Sequence, residues 1–196
     1  SSFAHAPCLS GYSLLNTEEQ DKNMKELTLP LTKEQIKNLH AGGSVLISGT
    51  ILTARDCAHK RITEYISEGK PLPFELKGAM IYYAGPCPAK PGMASGSCGP
   101  TTSARMDSFA PTLLDLGLAG MIGKGEMCEE VTNALKRNTA VYFAAIGGAG
   151  ALYGSAIKKS ECIAFPDLLS EAVYRLEVEK IPAVVAMDCH GGNIYR

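Results

Sequence analysis

The sequence predicts an α/β fold with a mixed sheet flanked by helices. Three observations carry that expectation: short apolar runs alternate with helical periodicities, glycine and proline clusters separate them, and polar groups recur straight after the runs. At 196 residues and 45% hydrophobic content the chain fits one domain of generous size with ample material for a core.

Residues 1–24 show little periodicity and no continuous apolar stretch of the kind a secretory signal carries. They are expected to form an N-terminal extension that packs on a partner or stays mobile, with residues 25–196 as the single domain. Lys25–Leu31 alternates like a short strand. Thr32-Lys-Glu-Gln35 has capping-box spacing, Ile36 and Leu39 give the apolar face of a short helix, and Ala41-Gly-Gly43 ends it. Ser44–Leu52 reads as a buried strand. Residues 54–68 read as a helix with Ala54, Ala58, Ile62 and Ile66 on one face, stopped by Gly69-Lys-Pro-Leu-Pro73.

Ala79–Ala84 is a further strand leading into a Pro/Gly-rich loop, Gly85–Gly99. A helix is expected over Ser103–Leu116, a strand at Gly120–Ile122, a helix at Met127–Arg137 and a strand at Ala140–Ala145. Gly147-Gly-Ala-Gly150 reads as a loop. Glu161–Phe165, Tyr174–Val178 and Pro182–Asp188 read as strands, with a helical turn over 167–172.

Charge narrows the function. A net charge of −1 provides no basic field for nucleic acid or an anionic membrane. No apolar run approaches the roughly 20 residues of a spanning helix. The seven cysteines (8, 57, 87, 98, 128, 162, 189) are odd in number and contain no C-x-x-C pair. That pattern fits free thiols in a reducing compartment, the cytoplasm first and a mitochondrion-like organelle second, and gives no metal-ligand motif.

Four polar clusters follow strands, where open α/β folds place ligands: Thr53–Arg61, the Thr101–Arg105 segment, Gly123-Lys124-Gly125 and Asp188–Asn193. In the second, Gly99-Pro100 forces a turn, and Thr101, Thr102, Ser103 and Arg105 follow. A helix starting there would aim unpaired N–H groups, hydroxyls and a guanidinium at one anion. Arg105 can grip a carboxylate through two parallel hydrogen bonds, which Lys cannot. Arg55 has a plainer alternative, a surface ion pair beside a helix start complemented by Asp56. Glycines on both sides of Lys124 suit close approach to a ligand, although a simple turn explains them nearly as well. Cys189 and His190, adjacent on an extended segment, should face opposite ways, and so should Cys57 and His59 on a helix.

Long motifs in order carry a resemblance. They are Gly49-Thr-Ile-Leu-Thr-Ala-Arg-Asp-Cys-Ala-His-Lys-Arg61, Pro73–Gly78, Tyr82-Tyr-Ala-Gly-Pro-Cys-Pro-Ala-Lys-Pro-Gly92, Gly99-Pro-Thr-Thr-Ser-Ala-Arg-Met-Asp107, Gly120–Gly125, Phe143–Leu152 and Asp188–Tyr195. Over residues 25–196 the chain resembles the β-subunit or C-terminal domain of class I fumarases and related iron–sulfur hydro-lyases, L-tartrate dehydratase β-subunits included. The wording leans to fumarase, although the His of Asp188-Cys-His-Gly is also at home in tartrate enzymes.

The resemblance implies a swivelling β/β/α domain and a tricarboxylic acid cycle reaction, the interconversion of fumarate and L-malate. It implies that Arg55, Arg105 and Lys124 bind the dicarboxylate and that Thr101 is the base at the substrate carbon. It also implies a [4Fe–4S] cluster whose cysteine ligands sit in the other subunit or the preceding domain of the family, assigned here to a partner α-subunit rather than to this chain, so the active species is expected to be an oligomer. Tartrate or mesaconate dehydration, and a non-catalytic anion-binding assembly module, stand as alternatives.

Overall fold

The computed structural model describes residues 24–146 and 148–196. The extension expected over residues 1–24 lies outside the described residues except for its last, and Cys8 lies outside them too.

The elements run β1 (Lys25–Thr28), α1 (Lys33–Lys37), β2 (Ser44–Thr53), α2 (Asp56–Ser67), β3 (Met80–Tyr82), a 3-10 turn (Ser103–Met106), α3 (Ala110–Asp115), β4 (Gly120–Gly123), α4 (Glu129–Asn138), β5 (Val141–Ala145), α5 (Gly150–Ala156), β6 (Ile157–Ala164), a second 3-10 turn (Pro166–Glu171) and β7 (Val173–Met187). The capping box forms as its spacing predicts. Thr32 Oγ1 accepts the Gln35 N–H at 3.1 Å, and Gln35 Oε1 accepts the Thr32 N–H at 2.8 Å.

Strands β2, β3, β4 and β5 lie side by side and parallel, each joined to the next through helical segments on one face. Strand β7 runs antiparallel to both β5 and β2, which closes the sheet into a barrel-like ring. Strand β1 adds parallel to the first half of β2, and β6 adds antiparallel to the first half of β7. The fold is therefore the α/β type with a mixed sheet flanked by helices, closed rather than open.

Alternation along the central strands explains why they read as continuous apolar runs. Met80, Tyr82, Ile122, Val141 and Phe143 enter one core, which also holds Ile36, Leu39 and Tyr153. Ile81, Tyr83, Met121 and Tyr142 enter the other, beneath α2, α3 and α4 with Ala58, Ile62, Leu113, Leu114, Val131 and Leu135. Both faces are buried, so neither face needs polar residues.

Three expectations are corrected. The helix anticipated over Ser103–Leu116 is a 3-10 turn followed by the separate α3. Pro111 has no N–H, and its ring would meet the Asp107 carbonyl in a continuous helix, so the chain restarts with proline in the first turn. Strand β6 begins at Ile157, not Glu161, and a helix over Gly150–Ala156 precedes it. As an edge strand β6 exposes Lys158, Lys159 and Glu161, which removes the apolar run that marks a central strand. The two strands expected at Tyr174–Val178 and Pro182–Asp188 are one, β7. A register slip opposite Ile47/Gly49 absorbs Glu179-Lys180, and Lys180 takes φ of 53°. Pro182 falls between the end of β6 pairing and the start of β5 pairing, a position where proline is tolerated. No described helix is long and apolar enough to cross a membrane.

Candidate functional site

Parallel order puts the carboxyl ends of β2, β3 and β4 together, and the chain leaves each through a tight turn bearing polar groups. Arg55 lies two residues beyond β2 and caps α2 in extended backbone conformation, φ −118° and ψ −164°. Its carbonyl accepts two bonds from His59, from the backbone N–H at 2.8 Å and from Nδ1–H at 2.9 Å. Its guanidinium is half-buried, with Nη2 3.8 Å from Glu171 Oε1. Gly85 leaves room for it, because a Cβ there would lie 3.3 Å from Arg55 Cδ and Nη1 and 2.6 Å from the Ser170 carbonyl.

Thr101 is fastened to the strand next door. Its N–H donates to the Tyr83 carbonyl at 2.7 Å, and Pro100 bridges Ala84. The Thr101 hydroxyl is half-buried and has no hydrogen-bond partner among the described residues. Thr102 pairs in parallel with Lys124, the Ser103 N–H donates to the Lys124 carbonyl at 2.9 Å, and the Lys124 N–H donates to Ser103 Oγ at 2.9 Å. The Tyr142 hydroxyl fixes this junction from below, hydrogen-bonded to Ser103 Oγ at 2.9 Å and to the Gly125 carbonyl at 2.7 Å. Gly123 makes the junction possible: a Cβ there would overlap Ser103 Oγ and come within 2.8 Å of the Tyr83 ring. Lys124 is exposed and forms no ion pair among the described residues.

Arg105 lies in the first 3-10 turn rather than in the opening turn of a long helix, and reaches across to α2, giving Nε–H to Asp56 Oδ1 at 2.9 Å. Arg55, Thr101, Arg105 and Lys124 are thus joined at one end of the sheet through Asp56, Tyr83 and Ser103. The fourth cluster, Asp188–Asn193, is divided: Asn193 Nδ2 lies 3.5 Å from Glu126 Oε1, two residues past Lys124, whereas Asp188 lies elsewhere. Asp188 accepts the Ala41 N–H ahead of β2, at the opposite end of that strand. The Cys189–His190 expectation is also corrected. The segment turns rather than extends, so Sγ lies 3.7 Å from Nε2, but that Nε2 faces the Lys37 carbonyl at 2.8 Å and is bonded there.

The sequence reading named Ser103 only as one of the hydroxyls after Gly99-Pro100 and His59 only for its direction relative to Cys57, and it gave Glu171, Tyr83 and Tyr142 no role. Glu171 Oε2 accepts the Cys57 N–H at 3.0 Å; its bonds from Cys57, with Arg55 and Arg105 close by, hold its carboxyl below the usual range. Two carboxylates, Asp56 and Glu171, thereby offset part of the charge of three cations. Burial lowers the His59 imidazole to about 4, so it is neutral near pH 7. Glu171 pushes the Cys57 thiol up, and burial does the same to Cys98, Cys128 and Cys189, so none of these is an activated thiolate.

One pattern marks this place. Among the described residues, five buried side-chain polar atoms lack a partner, and four of them are Arg55 Nε, Asp56 Oδ2, His59 Nε2 and Tyr83 Oη; the fifth is Ser95 Oγ. An unsatisfied buried polar group costs about 1–3 kcal/mol, so such a concentration signals a site built for something other than stability. A cavity of about 390 Å³ walled by Pro86, Cys87, Leu169, Ser170 and Tyr174 lies to the Arg55 side, and none of the four predicted residues lines it. No group of three or more His, Cys, Asp or Glu among the described residues is arranged to hold a metal, and the six described cysteines are free. An iron–sulfur cluster does not fit these side chains.

Comparison with known proteins gives a consistent set. The family model described as fumarase C-terminus matches residues 8–196. Fumarate hydratase 2 of Leishmania major is 40% identical over 174 residues, covering 87% of this chain and 31% of that protein. The anaerobic class I fumarate hydratase of Escherichia coli is 37% identical over 178 residues, covering 90% and 32%. A putative L(+)-tartrate dehydratase subunit beta of Methanocaldococcus jannaschii is 40% identical over 171 residues, covering 84% and 88%. The chain spans about a third of the length of the fumarate hydratases it matches.

Proposed function

The chain belongs to the fumarase C-terminus family, and from that premise we propose that it is the β-type part of an iron–sulfur hydro-lyase interconverting fumarate and L-malate. The observation that carries the reading is the gathering of three cations and one unpartnered hydroxyl at the carboxyl ends of β2–β4. Fumarate is a dianion. In the dehydration direction a proton leaves the carbon beside a carboxylate, and negative charge spreads onto that carboxylate. Fixed cations stabilise that state more than the ground state, the differential binding that raises a rate.

In this reading Arg55, Arg105 and Lys124 hold the carboxylates, and Thr101 Oγ1 stands at the carbon that loses its proton. Asp56 occupies Arg105 Nε, which turns the two Nη groups outward as a fork for a carboxylate. A threonine hydroxyl is a weak base and needs a proton acceptor next to it; with none among the described residues, that acceptor would come from the partner. The [4Fe–4S] cluster is assigned to the same partner α-subunit, as the family resemblance implies.

The second reading is a tartrate dehydratase β-subunit. It is favoured by one observation: the relative covered over 88% of its own length is a tartrate dehydratase subunit, whereas the fumarate hydratases are three times longer than the match. Reconstitution with the cluster-bearing partner, followed by kcat/KM for fumarate, L-tartrate and mesaconate, separates the readings. The proposal expects fumarate to dominate. A dominant tartrate or mesaconate value moves the chain to the second reading, and diacid binding without turnover makes it an anion-binding module.

A further inference from the structure

His59 is a residue that stability does not explain. Its imidazole is fully buried in the apolar layer between α2 and the sheet, edge-on to Tyr83 at 5.4 Å and tilted against Phe109 at 5.8 Å between ring centroids. Its Nε2 has no partner there. The helix does not require its Nδ1–H either, because the His59 backbone N–H already satisfies the Arg55 carbonyl at 2.8 Å. An aliphatic side chain at this position would bury as well without leaving a polar atom orphaned. Residues that break a local rule without a stabilising gain concentrate where function needs them.

Its contacts say what it does. Nδ1–H gives the Arg55 carbonyl a second bond at 2.9 Å, on the peptide from which the Arg55 side chain departs. That peptide caps α2 without any side-chain cap of its own. The face of His59 turned the other way meets Tyr83, whose carbonyl holds the Thr101 N–H and whose ring lies against Gly123, next to Lys124. One imidazole therefore touches the supports of three of the four site residues. We infer that His59 is a positioning residue: through the Arg55 carbonyl and the Tyr83 ring it fixes the Arg55 guanidinium relative to Thr101 and Lys124.

This rests on the functional reading above, and the test keeps the two apart. The assembled wild-type enzyme, His59→Asn, His59→Gln, His59→Leu and Arg55→Lys are compared for fumarate KM, kcat and Tm. The amide nitrogen of Asn stands near the place of Nδ1, whereas that of Gln stands near the place of Nε2. His59→Leu and His59→Gln should raise KM about tenfold or more, with kcat changed less than about threefold. His59→Asn should restore KM to within about threefold of wild type although its smaller side chain lowers Tm, so KM and Tm rank the variants in different orders. Unchanged KM in His59→Leu and His59→Gln, or KM that tracks Tm across all three variants, overturns the inference. If Arg55→Lys raises KM while the His59 variants do not, only the positioning role fails. If the wild-type assembly turns over fumarate but Arg55→Lys leaves KM untouched, or if the assembly turns over no diacid, the functional reading fails and His59 with it.

Discussion

Arg105 spends one donor on the protein and keeps a fork for the ligand, since Nε–H goes to Asp56 Oδ1 at 2.9 Å. Lysine cannot reproduce that division, because its three donors share one nitrogen and present no planar fork to a carboxylate while one of them is held by Asp56. Arg105→Lys should therefore lower kcat/KM about ten- to hundred-fold, the equivalent of losing one charge-assisted bond of about 1.5–3 kcal/mol, with Tm unchanged. Activity near wild type would remove Arg105 from the site. Thr101 is held by its backbone, not its hydroxyl, so Thr101→Val keeps the loop in place on the Tyr83 carbonyl. The variant should suppress exchange of the substrate C–H proton with solvent about a hundredfold or more while KM moves less than about threefold. Exchange at the wild-type rate would show that another group is the base.

Between elements, the decisive contact is the seam that joins the 3-10 turn to the end of β4. Gly123→Ala would drive a methyl group into Ser103 Oγ and the Tyr83 ring, neither of which has room to retreat. Overpacking of this kind costs about 1–3 kcal/mol. The expected result is a Tm several degrees lower, together with a raised fumarate KM, because the backbones of Thr102 and Lys124 separate; a variant with both values at wild type would show the seam to be loose. The sequence made much of this region legible. A buried run, a glycine turn and then a cation is a local pattern, and it located Arg55, Lys124 and the Thr101 segment at strand ends without any knowledge of the sheet. Glu171 had no such signal. It lies between β6 and β7, and it reaches Cys57 and Arg55 only because β7 crosses to pair with β2 and closes the ring, a long-range pairing with no local mark. Helix boundaries failed where one proline, Pro111, outweighed a good apolar spacing, and β6 was shortened because an edge strand carries charge on its free face.

For the molecule as a whole, the buried imidazole makes stability depend on pH in a window of its own. His59 in the unfolded chain takes up its proton near the ordinary value of 6.5, and in the folded protein only near about 4. Between those values the unfolded state binds more protons, so stability rises with pH there and falls on acidification, by roughly 3 kcal/mol over the whole window. The carboxylates held low by their partners, Asp115, Asp167, Glu171 and Asp188, have the same sign, but their stabilisation is complete above the ordinary carboxylate range and is lost only below it. Asp107, raised by burial, acts in the opposite sense. Urea unfolding of wild type between pH 7 and 4.5 should therefore show a falling midpoint, and His59→Leu should remove most of the fall above pH 5 while leaving the steeper loss at lower pH. Parallel curves for the two proteins would mean that His59 is not held neutral in the folded state, and the packing of α2 against Tyr83 and Phe109 would have to differ from the one described.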